Sequence, residues 1–136
     1  MKPLPPTARR HLAAAEGWLE LGNAHEANEE LEKIAPRLRV HPDVLEIRWQ
    51  IYAAAERWDA CLDLAAAVVK LDPNRRSGRY HLATTLHRLG RMAEARDVLL
   101  SAVDKLGADS ACFYELARLC CLLIRSFLTC FVASHP

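Results

Sequence analysis

Apolar residues in this chain recur at helical spacing, and the pattern they make is itself repeated. Leu82, Ala83, Leu86 and Leu89 share one face, Gly90 breaks the run, and Met92, Ala95, Val98, Leu99, Ala102 and Val103 form a second stripe at three-and-four spacing. That is the signature of a helix, a tight turn and an antiparallel helix. Displacing the sequence by 34 residues lays the same pattern over its neighbours. Trp18, Tyr52, Leu86 and Cys120 fall in one register, and Leu21, Ala55, Leu89 and Leu123 in another. Ile34, Val68 and Ala102 align, as do Ala15, Trp49, Ala83 and Ala117. Small residues Ala27, Cys61 and Ala95 also coincide, which is what closely crossing helices require, because a bulky side chain would hold their axes apart. The turn positions are Gly22, Glu56 and Gly90, and two of the three are glycine, which suits a helix end that needs a left-handed residue.

Departures from the period carry expectations of their own. Pro36 sits late in the second helix of the first unit and should end it early, while Pro42 fits the first turn of the next helix. Arg48 stands where the other units have Ala14, Leu82 and Leu116, with Trp49 beside it, so the second unit should pack differently around its tryptophan. The fourth unit follows the pattern through Leu123 and then has Ile124 where a turn glycine is expected.

The run Leu-Gly-Arg-Met-Ala-Glu-Ala at 89–95, followed by Leu99 and Ala102, resembles the turn and second helix of the tetratricopeptide repeat family, and Leu71-Asp72-Pro73-Asn74 is similar to its closing segment. On that frame the chain is a single domain. It has an extension at 1–7, units at 8–41, 42–75 and 76–109, and a partial unit or terminal helix at 110–136. The resemblance implies an all-α, right-handed helix-turn-helix solenoid of about three and a half 34-residue repeats. It also implies a non-enzymatic adaptor, whose first helices line a concave groove for an extended peptide or a partner helix.

Composition agrees with the helical reading. Ala and Leu number 43 against 15 for Val, Ile and Thr together, and there are only five glycines, which disfavours sheets and hairpins. Hydrophobic residues make up 51% and charged residues 26%, a globular balance. The formal net charge of +1 lacks the basic excess of a dedicated DNA-binding domain. The first ten residues hold no apolar core of signal-peptide length, so a cytoplasmic location is expected, with the five cysteines as reduced thiols.

No catalytic constellation is present. There is no Gly-x-Ser-x-Gly turn and no phosphate-cradling glycine loop, and no two of the six histidines stand one helical turn apart as metal ligands would. No cofactor, metal or small-molecule substrate is therefore expected. The informative surface is instead the face of the first helices. In the third unit it carries Tyr80, Thr84 and His87, flanked by His81 and Arg88; in the fourth, Tyr114 and Arg118; in the second, Glu46 and Gln50. Tyrosine and arginine are favoured at the centres of protein interfaces.

Two further readings stand beside this one. Phe127, Leu128, Phe131 and Val132 give the last segment an apolar surface where repeat arrays normally present a polar one, which suggests self-association, as a homodimer through that end. Arg118 and Arg125 interrupt the same segment and argue against a membrane span. Arg75, Arg76, Arg79, Arg88 and Arg91 raise a more remote RNA-binding reading. The near-zero net charge and the absence of a recurring pair of polar readers weigh against it.

Overall fold

Helix boundaries trace to a handful of residues. The computed structural model describes residues 2–106 together with Arg118, Cys121 and Arg125. Helices α1 (Pro6–Glu20) and α3 (Pro42–Ala54) begin on a proline, whose missing N–H is one that a helix start does not use. With α5 (Arg76–Arg88) they end at Glu20, Ala54 and Arg88, which share one register of the period. The second helices α2 (Ala24–Glu32), α4 (Trp58–Leu71) and α6 (Met92–Leu106) begin in register too. A 3₁₀ turn at Pro36–Leu38 lies between α2 and α3. All regular structure among the described residues is helical, so the all-α expectation holds.

The chain divides into two compact units, Met1–Pro73 and Asn74–Pro136. In the first, α1 packs on α2, α4 packs on α3, and α3 also rests on α1 and α2; in the second, α5 packs on α6.

Each first helix closes in the same way. The N–H of Asn23 donates to Trp18 O at 2.8 Å, that of Arg57 to Tyr52 O at 2.9 Å and that of Arg91 to Leu86 O at 2.8 Å. Just inside them Gly22, Glu56 and Gly90 donate to Leu19 O, Ala53 O and His87 O, each at 3.0 Å. These paired bonds form the Schellman motif, which satisfies carbonyls orphaned at a helix end and requires one left-handed residue. Gly22 and Gly90 adopt φ of 76° and 79°, and Glu56 adopts 56°, so the second turn makes the same reversal with a side chain in an unfavourable region. The position that follows is stabilised differently each time. The Asn23 side chain accepts from Glu26 N–H at 3.1 Å. The Arg57 guanidinium lies over the Tyr52 ring at 5.3 Å, and Arg91 forms a two-pronged ion pair with Glu94 at 3.0 and 2.6 Å.

The aligned apolar registers are the core. Ala27, Cys61 and Ala95 have no exposed surface, and Ile34, Val68 and Ala102 are fully covered as well. In the first unit Leu31, Ile34, Val44, Ile47 and Ile51 gather with Ala8, Ala15 and Ala27, and Leu4, ahead of α1, is buried among them. Burying an aliphatic side chain of this size contributes about 1.5–3 kcal/mol. An exposed ion pair rarely exceeds about 1 kcal/mol, so the apolar registers govern stability.

Trp49 gives the second hairpin its own packing. It is nearly buried in the register that holds Ala15 and Ala83 elsewhere, with its ring edge-on to Trp58 at 6.3 Å and 61°. The Cys61 thiol, on the helix opposite, donates to Trp49 O at 3.6 Å.

Pro36 has the effect its position predicts. Without an N–H it cannot donate to Glu32 O, the partner four residues back, and α2 stops at Glu32. Arg39 supplies the missing donors: its guanidinium bonds Glu32 O, and its Nε donates to Ile34 O at 2.9 Å. It also pairs with the Glu32 carboxylate at 3.0 Å, which Arg48 reaches from α3 at 3.1 Å. The arginine that breaks the apolar register in α3 is thus the partner of a shortened α2.

A Cβ built on Gly22 or Gly90 meets nothing within 4 Å, so substitution there is penalised through φ alone. Gly90→Ala should destabilise the chain by about 1 kcal/mol. Glu56→Gly should stabilise it by about 0.5–1 kcal/mol, raising Tm by roughly 2–5 °C in circular-dichroism melts. An unchanged Tm for Glu56→Gly would show that the left-handed turn carries no strain.

Candidate functional site

Helix α5 places its polar face by the same turn that ends it. Its sequence, Arg-Ser-Gly-Arg-Tyr-His-Leu-Ala-Thr-Thr-Leu-His-Arg, turns Ala83 and Leu86 into the core and contains no acidic residue. Tyr80, His81, Thr84 and His87 are half-buried along it, and Arg88 is exposed. The Tyr80 and His81 rings meet edge to face at 6.2 Å and 62°. Arg118 is exposed, with Nη2 3.5 Å from Nδ1 of His87. A guanidinium can only donate, so the imidazole meeting it presents its Nδ1 lone pair. Two predicted site residues far apart in sequence are thereby brought together. Arginine, tyrosine, threonine and histidine side chains on a helix without carboxylates make a surface rich in hydrogen-bond donors, suited to carbonyl and carboxylate groups.

Glu46 is half-buried and Gln50 exposed on α3, within the first unit. Tyr114, Phe127, Leu128, Phe131 and Val132 lie outside the described residues, as does the partial unit at 110–136 apart from Arg118, Cys121 and Arg125.

Several polar features lie outside the residues predicted to bind a protein partner. Thr85, fully buried beside Thr84, turns its hydroxyl back to donate to His81 O at 2.7 Å, so it is satisfied within its own helix. Arg79, also nearly buried, sets Nη1 3.5 Å from Ser101 Oγ on α6. In the first unit Glu30 accepts from Lys33 Nζ at 2.8 Å and meets Nδ1 of His11 across the α1–α2 hairpin at 3.0 Å. The Lys33 bond first, and His11 after it, hold the Glu30 carboxyl below its ordinary value. The three-residue spacing of Glu30 and Lys33 is legible in sequence, whereas the reach of His11 over 19 residues is not. Burial pushes the Cys61 thiol up, which keeps it protonated and unreactive at neutral pH.

Among the described residues no group of three or more His, Cys, Asp and Glu side chains converges to hold a metal ion, and no helix is long and apolar enough to cross a membrane. No protein-family model, curated protein or solved structure matches the chain.

Glu30 generates a pH prediction. A carboxylate held below its ordinary value contributes stability above that value and loses it as pH falls through the lowered one. Glu30→Gln should therefore lower Tm at neutral pH, with the gap to the parent chain closing as pH drops below about 4. Thermal melts across pH 7 to 3 would test this, and a gap independent of pH would contradict it.

Proposed function

We propose that this chain is a helical-repeat protein of the tetratricopeptide type, with three full 34-residue units and part of a fourth. On this reading it is a non-enzymatic module that binds an extended segment or a helix of another protein on its first-helix faces. The observation that carries the reading is the threefold return of one turn: the same pair of hydrogen bonds, a left-handed residue at the same position and a fully buried small residue five positions on, at one period. Such a unit leaves its first helix free to vary outward while its inner face is held constant.

The α5 face supports the choice of ligand. Its polar groups stand on a regular helix, so a partner orders little of the receptor as it binds. Tyr80 supplies a large amphipathic contact, Arg88 and Arg118 supply charge, and Thr84 and His87 supply shorter-range hydrogen bonding. Glu46 and Gln50 hold the positions of Tyr80 and Thr84 one period earlier, which gives the first unit a more acidic version of the same face. The free Cys61 thiol fits a reducing, cytoplasmic setting.

Alanine at Tyr80 and at Arg88 tests this directly. Truncating a central interface residue costs about 2 kcal/mol, or roughly thirtyfold in affinity. Each variant should lose proteins that the full chain captures from native lysate while keeping its helical melt. Undiminished capture by both would remove the α5 face as the binding surface. Ligands that prove to be RNA, released steeply by salt, would replace the protein-binding reading.

A further inference from the structure

On the first unit, the connector after α2 and the end of α4 enclose an open pocket of about 280 Å³ lined by Lys2, Arg37, Leu38, Val40, His41 and Leu71. Its apolar walls are Leu38, Val40 and Leu71, with Val40 64% and Leu71 45% exposed. Single exposed aliphatic residues are ordinary on protein surfaces, but three that wall one concavity are not scattered. Leu38 is half-buried and packs on the core of the first unit, whereas Val40 and Leu71 stand exposed outside that core. One period later the positions of Leu38 and Val40 are occupied by Asp72 and Asn74.

The pocket is firmly built. Arg39 pins the connector to Glu32 and Ile34 from within. Nδ1 of His41 accepts the Asp43 N–H at 3.2 Å, which leaves Nε2 to donate to Lys2 O at 3.1 Å and hold the N-terminal segment against the start of α3. Both ring nitrogens are thereby occupied. The charge around the pocket is one-sided: Lys2 and Arg37 line it, no carboxylate does, and neither cation has an ion-pair partner among the described residues.

We propose that this pocket is a second binding site, distinct from the α5 face, which takes one aliphatic or aromatic side chain of an acidic peptide while Lys2 and Arg37 engage carboxylates flanking that anchor. Size and charge together select this occupant. At about 280 Å³ the open pocket sits at the lower edge of the roughly 300–1,000 Å³ range of ligand sites and has room for one large apolar side chain. Two cations with no acid to neutralise them complement carboxylates on a partner and discriminate against basic segments. The preformed walls reduce the ordering that binding requires.

The test uses the full chain, isotopically labelled for NMR, and a synthetic peptide with one leucine between pairs of glutamates. Saturable shifts should centre on Val40, Leu71 and Arg37. The peptide with alanine for leucine and the peptide with lysine for glutamate should each bind at least roughly tenfold more weakly. Val40→Asp should abolish binding and Arg37→Glu should weaken it by a similar tenfold, whereas Arg37→Lys should retain most of it. Both positions are exposed, so helicity should be unchanged. No saturable shift at about 1 mM peptide would overturn the proposal. So would equal binding of the lysine peptide, or full affinity in Val40→Asp. None of these outcomes bears on Tyr80 or Arg88, so the two sites stand or fall separately.

Discussion

A helix that ends leaves its last carbonyls in need of donors, and in this chain a single backbone conformation meets that need and reverses the chain three times. The left-handed residue at positions 22, 56 and 90 lets two N–H groups fold back on the helix just ended. It fixes where the next helix starts, and hence which of its residues face inward. If Gly22, Glu56 or Gly90 were to leave that conformation, the second helix of its pair would emerge on a different path. Ala27, Cys61 or Ala95 would then no longer be held in the positions where they are fully buried. Packing is therefore downstream of the turn, and the polar faces are downstream of the packing.

The energetics follow the same order. Fully covered Leu31, Ile34, Val68 and Leu99 remove large apolar areas from water, while most ion pairs here lie on exposed or half-exposed positions where solvent screens them. Charged residues act mainly on geometry. Arg39 replaces donors that Pro36 cannot supply, and Arg48 reaches the carboxylate of the same shortened helix. These bonds decide where backbone ends and how connectors lie, which then decides where pockets form.

Periodicity made the helices, their pairing registers, the left-handed turns and the early stop at Pro36 legible in the sequence, because each depends on residues close together in the chain. Even Glu56 was legible as a turn position, by register alone, although its side chain disfavours the conformation it adopts. What could not be read were contacts that span hairpins or connectors. His11 finds Glu30, His41 holds the carbonyl of Lys2, and Leu71 faces Val40 across a pocket that no local spacing announces. The α5 face was legible as a set of residues, whereas the approach of Arg118 to His87 joins positions 31 residues apart. Arg48 lay between these cases: its departure from the apolar register was visible, but not its partner Glu32.

The shortened α2 has one more consequence. It ends at Glu32, where α4 runs on to Leu71, yet α3 still ends in step with α1 and α5, at one period from each. The rhythm of the chain is thus counted in residues along the backbone and not in turns of helix. A connector can trade helix for loop, residue for residue, without disturbing the hairpins on either side. Those stretches are the part of the architecture that can change shape while the beat is kept, and so the part in which a repeated scaffold can become individual.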